Sequence, residues 1–334
     1  MSKTSFLSLI TYLKEYFSSS LNKDKIELFI ERSMQENPWF TSGLIEYSMK
    51  AIENQFLDTE KWEHFFQVEG NTSPVVEKNV GLVLPGNLPA VGLHDVLMVL
   101  ASGHHALIKL SSQDKWLMRL YVEAILDFNP ACVQIVEKLG QMDAVIATGS
   151  DFAGNYFEQY FKHVPHLIRK NRSSVAIIKG NEADADFQEL AKDIFTYYGL
   201  GCRNVSSIFV PRAYNLMPLF DVLTTYTWVM EHHKYSNNYQ YQKTLFLLNQ
   251  VKHFDLGNLL VVEKPDLVSA VGVLHLHYYD SMKEVEDIIG QNEHKIQCVV
   301  GQDHVSFGLA QEPGLSDFAD GVNVYQWLNE LFKA

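Results

Sequence analysis

Between residues 80 and 178 the chain keeps repeating one pattern: a short apolar run, a turn, and a stretch long enough for a helix. The runs are Val80-Gly-Leu-Val-Leu84, Ala106-Leu-Ile-Lys-Leu110, Val133-Gln-Ile-Val136, Ala144-Val-Ile-Ala147 and Val175-Ala-Ile-Ile178. Strands covered on both faces read as continuous apolar runs, and strands joined through helices pair in parallel. The pattern predicts an α/β fold with a parallel sheet covered by helices on both faces, a dinucleotide-binding style of domain. Helices are expected over 91–100, stopped at Gly103, and over 116–126, with Ser150 or Asp151 capping the helix after the fourth strand.

The flanks differ from this core. Residues 1–75 read as a helical N-terminal segment, with Phe6, Ile10, Leu13 and Phe17 at helical spacing and Ile26, Phe29 and Ile30 repeating it. A polar Gly-Asn-Thr-Ser-Pro stretch between about 70 and 78 reads as a linker. The nucleotide-binding domain is expected over 76–182, with 305–334 returning to it. A second α/β domain is expected over 183–304, opening with a helix from 183 to 198. At 334 residues the chain is too long for one small core.

Composition removes several function classes. The formal net charge of −13 argues against general nucleic-acid binding, and a polyanionic ligand needs a local basic patch. Lys162, His163, His166, Arg169, Lys170 and Arg172 form one such run, which also reads as an ordinary solvated surface. No apolar run approaches the roughly 20 residues of a membrane span. The apolar N-terminal stretch is broken by Lys14 and Glu15 and reads as an amphipathic helix rather than a signal peptide. Three widely spaced cysteines, Cys132, Cys202 and Cys298, supply neither a disulfide framework nor metal-ligand spacing. A reducing cytoplasm and no metal site are expected.

The cysteines are not equivalent. Cys298, within Ile-Gln-Cys-Val-Val, reads as a small core hydrophobe, and Cys132 lies beside a strand. Cys202 follows a helix in Gly199-Leu-Gly-Cys202, a turn that lets the backbone approach a ligand, with Arg203 beside it to favour the thiolate. Its own surroundings leave two readings open, a buried structural cysteine and a nucleophile. Thr148-Gly149-Ser150 after the fourth strand is a candidate nucleotide contact or a plain strand-to-helix turn. No Gly-x-Gly-x-x-Gly follows a strand.

Taken in order, these pieces carry a likeness. Leu84-Pro-Gly-Asn-Leu-Pro89 resembles the Pro-Trp-Asn-Phe-Pro segment of the aldehyde dehydrogenase superfamily. Leu107-Ile-Lys-Leu-Ser-Ser112 resembles its Lys-Pro-Ser-Glu segment, and Ala147-Thr-Gly-Ser150 its Phe-Thr-Gly-Ser turn. Asn181-Glu-Ala-Asp-Ala-Asp186, followed by Gly199-Leu-Gly-Cys202, resembles the helix leading to the catalytic cysteine. Over residues 75–320 the chain resembles that superfamily, and within it the LuxC-type acyl-CoA reductases, to which the tail from Phe307 to Gly321 is similar. The resemblance implies Cys202 as nucleophile and Asn87 as side-chain donor to the oxyanion. It also implies Lys109 on the adenosine ribose, and Thr148, Gly149 and Ser150 as the nucleotide turn. The substrate implied is an acyl-CoA or an acyl-carrier thioester, with a homo-oligomer or a complex with an acyl-activating partner.

Departures from the superfamily sharpen the chemistry. Ile168 falls where hydrolytic members place a water-activating glutamate, and isoleucine cannot act as a general base. Thioester reduction to aldehyde is therefore expected, ahead of aldehyde oxidation to acid or an inert nucleotide-binding subunit. Ser112 stands where NAD-preferring members often carry a ribose-binding carboxylate, so NADPH is the expected donor, with NADH the alternative. His232 and His233, in a polar aromatic segment, are candidate proton carriers or plain surface residues. Ser269-Ala-Val-Gly272 lacks the glutamate of the superfamily's Glu-Ile-Phe-Gly-Pro segment.

Overall fold

The computed structural model describes residues 1–70 and 76–333, so most of the expected linker, residues 71–75, lies outside the described residues. The chain divides into two compact units, residues 1–171 with 313–334, and residues 172–312.

The first unit opens with four helices, α1 (Lys3–Ser18), α2 (Lys23–Glu36), α3 (Ser42–Phe56) and α4 (Thr59–Glu69). Ser2, Thr41 and Asp58 cap three of them through side-chain oxygens. Phe6, Leu9, Ile10 and Leu13 of α1 are fully buried, and Trp62 packs edge-on against Phe6 at 4.7 Å. The helical segment therefore shares one core with the sheet that follows.

That sheet contains β1 (Asn79–Val83), β2 (His105–Lys109), β3 (Val133–Ile135), β4 (Ala144–Thr148) and β5 (His166–Arg169), joined through α5 (Leu93–Ala101), α6 (Trp116–Phe128) and α7 (Asp151–Tyr160). All its pairings are parallel, in the order β3-β2-β1-β4-β5. Helix α5 is apolar nearly all round, and every residue in it except His94 is buried, as expected for a helix enclosed by its neighbours. It stops where Gly103 adopts φ +81° and the His104 N–H reaches back to Val99 O at 3.2 Å.

The second unit carries a six-stranded sheet of β6 (Ser173–Ile177), β7 (Val205–Pro211), β8 (Phe254–Asp255), β9 (Leu260–Glu263), β10 (Val273–Tyr279) and β11 (Ile296–Val300). The order is β11-β6-β7-β10-β9-β8, parallel except for the β8 edge. Its helices are α8 (Asp184–Phe195), α9 (Met217–Thr224), α10 (His233–Leu248) and α11 (Met282–Gln291). Helix α12 (Val324–Leu331) lies back in the first unit, with Val324, Tyr325 and Leu328 fully buried.

Three expectations differ from this architecture. The apolar run at 175–178 is not part of the first sheet: it pairs with β7 and β11. The second unit therefore begins at Arg172 rather than 183, and the return falls at 313 rather than 305. Strand β5, within the basic run, was not expected. It qualifies because His166 to Arg169 pair in register with Val145 to Thr148.

Candidate active site

In the first unit, β1, β2, β3 and β4 all end at one edge of the sheet. The order reverses there, since the chain moves outward from β1 to β2 and β3, then crosses to β4 on the other side of β1. Ligands of open α/β sheets bind beyond the carboxyl ends of strands at such a reversal. A groove of about 780 Å³ opens there, lined by Val83, Leu84, Lys109, Ser112, Thr148 and Gly149 among others. Four sequence-predicted residues, Lys109, Ser112, Thr148 and Gly149, thus meet around one cavity. Ser150 does not line it: its side chain accepts the Ala153 N–H at 3.3 Å as the N-cap of α7. Gly149 is needed for the close packing of that helix, because a Cβ there would lie 2.9 Å from Ala153 Cβ and 3.0 Å from a Phe157 ring carbon.

Sequence reasoning missed other parts of the lining, Lys115, Arg119, Glu137 and Phe157. Lys115 and Arg119, four apart at the start of a helix, were the available signal.

Asn87 lies exposed in the loop after β1. That loop is pinned from two sides. The Ser48 hydroxyl donates to Pro89 O at 2.7 Å, and the buried Asp114 carboxylate accepts the Ala90 N–H at 2.7 Å and the Met118 N–H at 3.3 Å. Ala90 is held at φ +52°. Gly86 packs against the 111–114 turn so closely that a Cβ would overlap the Ser111 hydroxyl. Burial pushes Asp114 up to about 7, against the opposing pull of its backbone donors.

The basic run does not form one patch. Arg169 is buried and pairs with the equally buried Asp95 of α5 at 2.5 Å, and Lys170 pairs with Glu158. Arg172 belongs to the second unit, where it donates to Glu293 O and Ile296 O. Arg169 also fixes the turn at 148–150, since its carbonyl accepts the Gly149 N–H at 3.1 Å. Ile168 packs with Leu139, Val145, Ala147 and Phe161 in an apolar cluster.

In the second unit, Cys202 sits exposed in the turn between α8 and β7, whereas Cys132 is buried and Cys298 half-buried. Burial pushes the Cys132 thiol up to about 11, which leaves it inert at neutral pH. The Cys202 turn is built by side chains that cap the end of α8. Asn204 donates to the carbonyls of Asp193, Ile194 and Thr196, and its Oδ1 accepts the Gly201 N–H at 2.8 Å. The Ser174 hydroxyl reaches the Cys202 carbonyl at 3.0 Å and Cys298 Sγ at 3.1 Å. Cys298 is thus part of this polar cluster, not the core hydrophobe expected. Asp193, fully buried, accepts the N–H groups of Gly308 and Ala310, which fixes the Phe307–Gln311 stretch beside α8.

The expected helix to residue 198 ends at Phe195. Tyr197, Tyr198 and Gly199 follow at φ +54°, +57° and +75°, a left-handed turn that reverses the chain before Cys202. Both tyrosines are buried, and the Tyr198 ring packs at a tilt against the His232 ring, 4.4 Å between centroids. His232 Nδ1 accepts the Tyr235 N–H at 3.4 Å as the N-cap of α10. Among the described residues no group of three or more His, Cys, Asp or Glu could hold a metal ion, and no helix is long and apolar enough to cross a membrane.

Two parallel-stranded units, one with a groove at its strand ends and one presenting a cysteine before a strand, make an aldehyde-dehydrogenase-like α/β fold. The solved structures agree. An aldehyde dehydrogenase from Sinorhizobium meliloti matches with a TM-score of 0.66 at 12% identity, covering 93% of this chain and 72% of that one. Aldehyde dehydrogenase C of Pseudomonas syringae, a mutant solved with NAD+ and octanal, matches at 0.62 and 14% identity, over 91% of this chain and 73% of that one. The NADP-dependent glyceraldehyde-3-phosphate dehydrogenase of Bacillus halodurans, complexed with NADP, matches at 0.61 and 15%, over 90% and 74%. Within this class, residues 75–218 match the acyl-CoA reductase (LuxC) family, a span that includes both the groove and Cys202. The LuxC-type resemblance read from the short motifs therefore holds. No curated protein matches the chain in sequence.

Proposed function

We propose that the protein reduces an acyl thioester, carried on coenzyme A or an acyl carrier, to the aldehyde through an acyl-Cys202 intermediate, with NADPH as reductant. The observation that carries this reading is the Cys202 turn: an exposed thiol whose backbone is held by Asn204 and Ser174, inside a segment similar to acyl-CoA reductases. Preorganised donors of this kind suit a nucleophile whose backbone N–H must meet a developing oxyanion.

In this reading the Cys202 thiolate attacks the thioester carbonyl and the Cys202 N–H donates to the oxyanion, Asn87 being the second donor that the resemblance to the superfamily implies. The thiol of the carrier leaves, and the acyl group stays on Cys202. The groove residues suit a nicotinamide dinucleotide. Leu84, Val136 and Phe157 would offer apolar surface for the adenine, Lys109 and Ser112 would hold the ribose, and the Thr148–Gly149 turn before α7 would face the pyrophosphate, with Ser150 holding that turn as the helix cap. When bound, the reduced nicotinamide supplies the hydride that converts the acyl group to the aldehyde level. Ile168 gives the acyl-enzyme no base for activating water, and its place in an apolar cluster supports reduction over hydrolysis. The competing reading, aldehyde oxidation to acid, needs such a base.

The test is a panel of acyl-CoAs with NADPH and NADH, followed by loss of reduced-nicotinamide absorbance and by aldehyde trapping. Aldehyde formation that disappears in Cys202→Ala is expected, with a radiolabelled acyl group retained on the wild-type protein. Reduction at a normal rate by Cys202→Ala overturns the mechanism. Steady acid formation from aldehyde without a thiol favours the competing reading.

A further inference from the structure

We infer that Ser174 and Cys298 are positioning residues for Cys202: Cys298 holds the Ser174 hydroxyl, and that hydroxyl sets the angle between the side chain of Cys202 and its backbone N–H. This rests on the role of Cys202 as nucleophile proposed above.

The second sheet is irregular on both sides of Ser174. Strand β6 is buried along its whole length, and Ser174 within it is fully buried. A hydroxyl in such a place costs stability unless it is hydrogen-bonded. On one side, Ile296 pairs with Ser173 and Val299 with Val175, so β11 carries one residue more than β6 across the interval. On the other, Val205 pairs with Ser174 and Ser207 with Val175, so β7 also carries one more. Bulges of this kind re-aim side chains and release backbone groups from the ladder. Cys298 lies in the first of them, and its N–H goes to Ser174 Oγ at 3.2 Å.

Donors and acceptors then have one consistent arrangement. The Cys202 carbonyl can only accept, so the single hydroxyl proton of Ser174 goes to it, at 3.0 Å. The Cys298 thiol, 3.1 Å from Oγ, is left to donate. Ser174 thus accepts two bonds from Cys298 and gives one to Cys202.

The effect on Cys202 follows from the planarity of peptide bonds. The peptide that carries the Cys202 N–H is held through Gly201 O, which accepts the Asn204 N–H at 3.0 Å. The next peptide is held through Cys202 O by Ser174. Holding both planes fixes rotation about the two backbone bonds of Cys202, and with it the direction of Cβ relative to the N–H. A thiolate that attacks a carbonyl and an N–H that receives the resulting oxyanion must keep that angle.

Acetylation of the full chain by p-nitrophenyl acetate tests this without a coenzyme. The thiolate attacks the ester carbonyl, p-nitrophenolate leaves and is read by absorbance, and the acetyl group on Cys202 is located by peptide mass spectrometry. Alkylation of the same thiol by iodoacetamide, which passes through no oxyanion, is the reference. Ser174→Ala is expected to lower the ratio of acetylation to alkylation about tenfold, and Cys298→Ala about threefold, as for the loss of an ordinary and of a weak hydrogen bond. Cys298→Ser restores the ratio. In the Ser174→Ala background Cys298→Ala adds nothing, because Cys298 acts through the hydroxyl. A wild-type ratio in Ser174→Ala overturns the inference, and so does a Cys298→Ala loss that persists in that background. A lowered melting temperature with an unchanged ratio assigns both residues to stability alone and also overturns it. Where Ser174→Ala does not fold, Cys298→Ala decides: a lowered ratio restored by Cys298→Ser supports the inference, and an unchanged ratio overturns it. A wild type acetylated on Cys202, with variants that match it, removes this inference alone. A wild type that is alkylated but not acetylated there removes the nucleophile reading and the inference with it.

Discussion

The carboxylate of Asp114 accepts the backbone N–H of Ala90 at 2.7 Å and thereby ties the loop that presents Asn87 to the start of helix α6, which borders the groove. One buried acid holds together two parts of the first unit that the proposed chemistry uses separately.

Asp114 makes stability depend on pH in a definite direction. Its folded value of about 7 exceeds the unfolded carboxylate value, so between about pH 4 and 7 the native state holds a proton that the unfolded chain has released. Stability from this group is lost as pH rises through that window. Asp114→Asn removes the titration while keeping an acceptor oxygen. From pH 5 to 8 the variant is expected to gain on the wild type, by at most about 3 kcal/mol. His104 and His277, pushed down to about 4 chiefly by burial, give the opposite slope between about pH 4 and 6.5. The difference between the two proteins in urea denaturation is therefore the measurement to make, and a pH-independent gap contradicts the assignment.

Asn204 is expected to control the reactivity of Cys202 without touching it. Asn204→Ala leaves the Gly201 N–H and the final carbonyls of α8 without their side-chain partner inside the protein. A loss of about 2–4 kcal/mol follows from unsatisfied buried groups. Iodoacetamide labelling of Cys202, followed by mass spectrometry under conditions where the variant is still folded, should change in rate. An unchanged rate means that the turn is held by other contacts.

Gly149→Ala tests the groove from the opposite side. The added methyl meets Ala153 and Phe157 at contact distances that real side chains avoid, so the first turn of α7 must move. The strain is expected to lower the melting temperature, and displacement of the turn by a few tenths of an ångström to weaken 5′-AMP binding roughly tenfold. A lowered melting temperature with normal binding confines Gly149 to packing.

Much of the first sheet was legible because strand, turn and helix signals are local. The strands ending at Lys109 and Thr148 carry their own apolar runs, and the motifs at their ends brought Lys109, Ser112 and Gly149 to one groove. What escaped was non-local. The run at 175–178 looks like any other buried strand, and only its pairing with β7 and β11 assigns it to the second sheet. Arg169 read as surface charge because nothing near it in sequence announces Asp95, 74 residues away. Asp114 and Asn204 act through backbone groups of other segments, a role that residue type alone does not reveal. The left-handed Tyr197 and Tyr198 were hidden for a related reason, since bulky residues seldom adopt that conformation and their burial is what sustains it.

The second unit occupies one continuous stretch, 172–312, while the first is split around it. Val324, Tyr325 and Leu328 belong to the same hydrophobic core as Phe6 and Leu9. During synthesis the ribosome must therefore finish the whole intervening unit before the earlier one can close its core, which leaves the nascent α1–α5 helices with apolar surface uncovered for many seconds. The unit made second is complete on the ribosome before the unit made first has received its last helix.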